Sequence, residues 1–235
     1  MIAHLAALYN CAAYATITLT MSKPHLLLAS QSLRRRELLA LLGLPFEVAV
    51  ANVAEVPRTN EPPAALVIRL SRAKAHAVIT YPDIIVIACD TVVALDGEIL
   101  GKPRDATEAA AMLYRLRGRP HTVYSAVTLL QPVTGRALTD VSETWVTMRA
   151  YTDAEITTYV ASGDPLDKAG AYAVQHPGFH PVAELQGCYT NVVGLPLCHL
   201  VRCLRAWGVE LPRDVPAVCQ AHTGHHCTVH TTILK

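Results

Sequence analysis

The sequence predicts an α/β protein, and three observations carry that reading. Strand-like and helix-like stretches alternate from Leu26 to Trp207, the order that builds a layered α/β core. The run Ile84–Ala88 is unbroken, apolar and rich in β-branched residues, as in a central strand covered on both faces. With 51% hydrophobic and 17% charged residues, the 235-residue chain can bury the core of one large domain or two small ones, which excludes a disordered chain.

Leu26-Leu27-Leu28-Ala29 is a short buried strand, and Ser30-Gln31-Ser32 leads it into a helix whose Leu38, Leu39, Leu41 and Leu42 precede a closing Gly43. A strand-like Phe46 to Ala51 follows. Pro62-Pro63 opens a second helix with Leu66, Leu70, Ala73 and Ala77 on one face. The central strand ends at Cys89-Asp90-Thr91. Val92 to Leu95 and Glu98 to Leu100 flank Asp96-Gly97, which supplies the positive φ angles of a type I′ hairpin turn. Counting back from that turn pairs Thr91 with Lys102. Asp105 and Glu108 form a capping-box-like start for a helix through Met112 and Leu116, ending near Gly118. Strands at roughly 121–130 and 137–148 follow, and Thr152 with Glu155 caps a helix that stops at Gly163. Pro196 takes the first position of a helix through Leu197, Leu200, Val201 and Leu204, and residues 209–235 read as an irregular tail.

Composition limits function as well. Twenty basic against nineteen acidic residues give a net charge of +1, so no global field draws the chain to nucleic acid or membrane and any anion site is local. Seven cysteines, an odd number spread along the chain, fit a reducing compartment better than a disulfide framework. The first twenty residues are apolar, yet they lack a basic signal-peptide start and include His4, Asn10 and several Thr. Residues 1–22 are therefore read as an N-terminal extension, either an over-extended start ahead of Met21 or a frayed leader, and the chain as soluble and cytoplasmic.

Ser30-Gln31-Ser32-Leu33-Arg34-Arg35-Arg36 lies between a buried strand and a helix. Free N–H groups, serine hydroxyls and guanidinium forks suit phosphate oxygens there, although a capped surface helix with solvated arginines explains the same residues. Successive helix positions differ by about 100°, so Arg34 and Arg35 are chosen for the ligand and Arg36 is assigned to solvent. Asp90, at the expected end of the central strand, can bind a divalent cation, accept a proton from water or merely cap a turn. Lys102 comes close to Asp90 across the hairpin, but strand parity turns it toward the face of Thr91. Lys74 borders the apolar stripe of its helix, either snorkelling or reaching inward to a phosphate. Glu55 alone reads as a solvated loop acid. Two further loops, 164–175 and 187–196, are permissive of close approach by a ligand or of plain packing.

The order of these segments says more than any one. Ala29-Ser-x-Ser-x-Arg-Arg-Arg-Glu-Leu-Leu, Ala73-Lys-Ala, Asp90-Thr-Val-Val, Asp96-Gly-Glu-Ile-Leu-Gly-Lys-Pro-Arg-Asp, Asp167-Lys-Ala-Gly-Ala-Tyr and Asn191-Val-Val-Gly-Leu-Pro resemble, in sequence and order, the Maf family of nucleoside triphosphate pyrophosphatases over about residues 25–208. The resemblance implies a two-lobed Maf/ITPase-like fold around a long mixed sheet with flanking helices, spanning residues 23–208 and followed by a Cys/His-containing tail at 209–235. It implies a nucleotide in the cleft between the lobes, a divalent cation (Mg²⁺ or Mn²⁺) as cofactor, and cleavage between the α- and β-phosphates. On the family's positions, Asp90 falls on the proton acceptor; Ser32, Arg35, Glu55, Lys74 and Lys102 fall on phosphate, metal and active-site positions, with Glu55 and Asp90 as metal carboxylates. Arg34, Thr91 and Gln175 fall on positions of the branch that prefers dTTP and UTP. Leu33 stands where proline is usual, Asn52 where aspartate is often found, and Cys89, Ala173 and Cys188 replace small or serine-like residues.

The function expected is hydrolysis of dTTP and UTP, or modified pyrimidine nucleotides, to monophosphate and pyrophosphate. The alternatives are a non-catalytic nucleotide- or nucleic-acid-binding regulator of cell division and a house-cleaning pyrophosphatase for other modified nucleotides. The partner expected is the nucleoside triphosphate substrate, with no nucleic acid and no membrane; a homodimer is left open. No Gly-x4-Gly-Lys-Ser/Thr loop is present, which argues against a P-loop NTPase. In the tail, Cys219-x2-His222 and Cys227-x2-His230 raise a zinc site or a Cys219–Cys227 disulfide as alternatives to a flexible segment.

Overall fold

The computed structural model describes residues 25–78, 81 and 83–235, so the extension expected over residues 1–22 lies outside the described residues. Strand β1 (His25–Ala29) passes through Ser30-Gln31-Ser32 into helix α1 (Leu33–Ala40), where the Ser32 hydroxyl accepts a hydrogen bond from the Arg35 N–H at 3.3 Å. Then come β2 (Phe46–Ala49), α2 (Pro63–His76), β3 (Ile84–Leu95) and β4 (Glu98–Leu100). Asp96 and Gly97 both take positive φ (53° and 81°), as the two-residue hairpin requires. Helix α3 (Ala106–Leu116) starts on an Asp105 cap, and the long strands β5 (Pro120–Gln131) and β6 (Arg136–Met148) form the next hairpin. Helix α4 (Asp153–Ala161) begins with the full capping box of Thr152 and Glu155. Two short 3-10 turns (Asp164–Asp167 and Ala169–Ala171), β7 (Val182–Gln186), α5 (Tyr189–Val193), α6 (Leu197–Ala206), α7 (Val215–Thr223) and α8 (His230–Ile233) complete the chain.

The strands form one mixed sheet in the order β2-β1-β3-β5-β6-β7, parallel among β2, β1 and β3 and antiparallel beyond. Strand β3 is the hub. One of its edges is paired with β5 from Val86 to Ala94. The other edge is shared: β1 pairs with it as far as Ile87, and β4 takes over from Val93. Among the described residues no strand lies beside the intervening stretch, Ala88 to Val92, on that edge, and Asp90 stands at its centre. This gap divides the molecule into two lobes.

Strand alternation assigns the packing on each side. Leu26, Leu28, Ile85, Ile87 and Cys89 meet Leu38 and Leu39 of α1 and Leu197, Leu200 and Leu204 of α6. The opposite face carries Leu27, Ala29, Val86 and Ala88 against Ala75 of α2. The second lobe packs Val93, Leu95, Val123, Val146 and Met148 with Leu113 and Leu116 of α3 and Ile156 and Tyr159 of α4.

Several expectations need correction. The central strand does not end at Asp90; it continues to Leu95 as a single element, because β5 supplies an unbroken partner. The buried stripe of α2 runs through Leu66, Val67, Leu70, Ser71, Lys74 and Ala75, leaving Ala77 exposed past the helix end. The segment 187–196 holds the short helix α5, Pro196 caps α6 from one position earlier than expected, and β7 had no sequence signal. Residues 209–235 are not irregular. Asp214 caps α7, and Val209, Val215, Cys219 and Leu234 pack on the α1–α6 side of the core. Cys219 and Cys227 are free thiols, and among the described residues no three His, Cys, Asp or Glu side chains are grouped to hold a metal ion.

Candidate active site

The gap beside β3 opens into a cleft of about 780 Å³ lined by Ser32, Arg34, Arg35, Glu55, Lys74, Asp90, Thr91, Lys102 and Gln175, which are all nine residues expected at the site. They arrive from both lobes: α1, the loop after β2, α2, β3, the loop after β4 and the segment after the 3-10 turns.

At the floor, Asp90 (4% exposed) accepts a hydrogen bond from Lys74 Nζ at 2.5 Å, and Lys74 is itself only 6% exposed. Lys74 follows Leu66 and Leu70 at four-residue steps, so the stripe that packs α2 on the sheet delivers its ammonium to Asp90. The Glu55 carboxylate pairs with the same ammonium and lies 3.6 Å from Lys102 Nζ. Glu55 is thus an ion-paired member of the site rather than a solvated loop acid. Parity had turned Lys102 away from Asp90, but the ladder stops at Val93–Leu100, which frees Gly101 and Lys102 to turn toward Glu55.

Burial pushes the Asp90 carboxyl above the ordinary aspartate range; Lys74 and Arg35 oppose that shift and the nearby Glu55 charge adds to it. For Glu55, partial burial also pushes upward, but Lys74, Lys102 and Arg35 outweigh it and hold the carboxyl below its usual value. Two carboxylates around one ammonium are therefore driven apart in acidity, an arrangement that suits one to accept a proton and the other to stay ionised.

The opposite face of β3 holds the arginine side. Thr91 Oγ1 accepts from Arg35 Nη2 at 3.2 Å and shares a 2.8 Å hydrogen bond with Ser125. Arg35 Nε donates to the Gly194 carbonyl at 2.8 Å. Gly194 closes α5 at φ 127°, a conformation L side chains rarely adopt, so its glycine sets the carbonyl that orients Arg35. Asn191 donates to Val123 O at 3.0 Å and to Thr144 Oγ1 at 2.9 Å, pinning α5 to the sheet. Arg34 reaches across the mouth of the cleft to Asp167 at 3.0 Å, and Gln175 is exposed on the rim. Arg36 departs from its expected solvent exposure: it is half-buried, with Nε enclosed and unpartnered.

Sequence reasoning missed Lys168, a buried cleft residue whose ammonium is held by Asp164 and Asp167. Its signals were a place in a polar loop and in the Asp167-Lys-Ala-Gly-Ala-Tyr motif, neither of which marked it as a site residue. The small residues of that loop serve packing: Gly170, at φ 68°, sits so close to Val93 that an added Cβ would lie 2.9 Å from Cγ2, and its N–H bonds Gly101 O at 3.0 Å. That contact ties the loop to the segment carrying Lys102.

Fold and cleft together define an α/β protein built to receive a polyanion between two lobes, beside a buried carboxylate. The chain belongs to the Maf-like protein family, whose sequence pattern matches residues 25–207. A dTTP/UTP pyrophosphatase of Myxococcus xanthus (strain DK1622) is 51% identical over 189 residues, covering 80% of this chain and 94% of that protein. A dTTP/UTP pyrophosphatase of Anaeromyxobacter dehalogenans (strain 2CP-1) is 48% identical over 195 residues, 82% of this chain and 99% of the other. A third, from Deinococcus radiodurans (strain R1), is 46% identical over 188 residues, with 80% and 95% covered. No helix among the described residues is long and apolar enough to cross a membrane.

Proposed function

We propose that this protein hydrolyses nucleoside triphosphates, dTTP and UTP foremost, to the monophosphate and pyrophosphate. The observation that carries the reading is Asp90: a buried carboxylate of raised pKa, paired to Lys74, in the gap of the sheet where a cleft gathers Arg34, Arg35, Lys74, Lys102 and Lys168. About half of the aligned positions are shared with pyrophosphatases of that specificity, and the aligned regions span most of both chains.

A triphosphate is a polyanion, and attack on its α-phosphorus needs that charge balanced and the pyrophosphate leaving group stabilised. Arg35, Lys74 and Lys102 grip the phosphates, with the Ser32 hydroxyl and the start of α1 adding donors. Asp90 takes a proton from water as its oxygen bonds to the α-phosphorus; the bond from that phosphorus to the bridging oxygen breaks, and pyrophosphate leaves with the bond pair. Lys74 keeps Asp90 aimed into the cleft. Arg34, Thr91 and Gln175 border the nucleoside end, where Gln175 hydrogen-bonds a pyrimidine edge.

The donor set fits a magnesium or manganese ion carried with the nucleotide. Glu55 and Asp90 offer hard carboxylate oxygens on either side of one ammonium; Glu55, together with substrate phosphates, would hold such an ion, with Asp90 a ligand only where it is not acting as the base. The bound ion would neutralise phosphate charge and polarise the P–O bonds. The surroundings proposed for the protein are cytoplasmic.

The test is pyrophosphate release from dTTP, UTP and a panel of modified triphosphates. Asp90→Asn is expected to lower turnover by about 10²–10⁴-fold with an unchanged circular dichroism spectrum. Turnover retained by that variant would reject the role of Asp90, and a wild-type protein that binds but never cleaves would favour a nucleotide sensor.

A further inference from the structure

Across the cleft from Asp90, the rim holds a second arrangement of charge, centred on Asp167, that takes no part in breaking the P–O bond. Asp167 ends the 3-10 turn on one lobe, and Arg34 is the second residue of α1 on the other. Each Asp167 oxygen serves a different cation: Oδ2 accepts from Arg34 at 3.0 Å, and Oδ1 accepts from Lys168 Nζ at 2.6 Å. The two ends differ in firmness. Lys168 is anchored a second time, to the Asp164 carbonyl at 2.5 Å and to Asp164 Oδ1 at 3.0 Å. Asp164 Oδ2 in turn accepts from the Tyr159 hydroxyl at 2.7 Å, and that hydroxyl accepts from the Ala173 N–H at 3.0 Å. Arg34 has Asp167 alone among the described residues. The Asp167 side chain is 67% exposed, whereas that of Lys168 is 9% exposed.

We propose that Asp167 is a positioning residue of the nucleotide cleft: it ties Arg34 across the mouth to the fixed Lys168 and so presents both cations to an entering nucleotide at a set spacing. The inference rests on the nucleotide reading above and deepens it. The carboxylate places one negative charge near a polyanion, yet it fixes an arginine whose side chain, 26% exposed, has no other polar partner among the described residues. Pre-orienting a long side chain spares the loss of rotamer freedom when substrate arrives, which acts on binding. Asp167 lies at the mouth while Asp90 and Lys74 lie at the floor, so its effect falls on substrate capture and not on the bond-breaking step.

The experiment compares wild type, Asp167→Asn and Asp167→Glu in steady-state hydrolysis of dTTP and UTP. For Asp167→Asn, KM is expected to rise roughly fivefold with kcat within about twofold, the size of a partly exposed charge-assisted contact. Asp167→Glu, which keeps the charge, restores KM to within about twofold of wild type. An unchanged or lower KM in Asp167→Asn, or a fall confined to kcat, overturns the proposal. A second readout does not depend on turnover: modification of Arg34 by phenylglyoxal, followed by peptide mass spectrometry, is expected to quicken about threefold in Asp167→Asn and not in Asp167→Glu. Equal rates in all three proteins also overturn it. If the wild type hydrolyses neither nucleotide while Arg34 is unmasked as expected, the tie stands and the pyrophosphatase reading fails.

Discussion

Replacing Lys74 by methionine keeps most of its bulk and removes the charge shared by Asp90 and Glu55. Both Lys74 and Asp90 are buried, and removing one partner of a buried pair typically costs about 3–5 kcal/mol. Arg35 still acts on Asp90 and Lys102 on Glu55, which places the expected loss near the lower figure, about 3 kcal/mol at about pH 8. At a urea slope of about 3 kcal/mol/M, the unfolding midpoint falls by about 1 M. Acidity adds a sign. Burial already raises the Asp90 carboxyl, with Lys74 the leading opposing influence, so its removal lifts that carboxyl further. A carboxyl whose folded pKa exceeds its unfolded value loses stability as pH rises through the folded pKa, so the deficit of Lys74→Met shrinks on acidification and is fullest on the alkaline side. Urea titrations of wild type and variant at several pH values supply the check. A deficit under about 1 kcal/mol at about pH 8, or one that does not change toward about pH 5, would refute the buried-pair account.

The acid limb of kcat/KM for dTTP should lie above the ordinary aspartate range, because only ionised Asp90 accepts a proton and burial raises its carboxyl; a pH–rate profile with a limb at or below that range contradicts this. Gly170→Ala places a Cβ 2.9 Å from Val93 at a φ of 68°, which should cost about 1–3 kcal/mol and lower the melting temperature by several degrees; an unchanged thermal melt argues against close packing there. Ending the chain before Val209 uncovers α6 and removes buried Val209 and Val215, a loss of at least about 3 kcal/mol in urea unfolding; equal stability would mean that α7 and α8 contribute nothing.

Much of this site was legible because its signals are local. Ser32 caps α1 as the strand–turn–helix pattern implied, and the four-residue steps from Leu66 to Lys74 carried Lys74 to the sheet. Asp90 stood out at the end of an apolar run, although it sits within a strand whose continuation depends on β5, some thirty-five residues on. The rest needed tertiary contacts. Nothing in Ala54-Glu55-Val56 by itself announces a carboxylate shared by two lysines, since Glu55 meets Lys74 and Lys102 only once β1 and β4 flank the gap and the loop after β2 reaches it. Lys168 gains its meaning from Asp164 and Tyr159, and β7 exists because β6 offers it an edge. The helical tail shows the same dependence: Val215 and Cys219 are unremarkable in a Cys/His-rich stretch until α6 supplies the surface they cover.

The central claim, that the cleft directs water to the α-phosphorus of a pyrimidine triphosphate, is tested most directly by hydrolysing UTP in oxygen-18 water and locating the label by mass spectrometry. Heavy oxygen in the uridine monophosphate with unlabelled pyrophosphate is the result expected. Label in the pyrophosphate, or products of uridine diphosphate and orthophosphate, would contradict it.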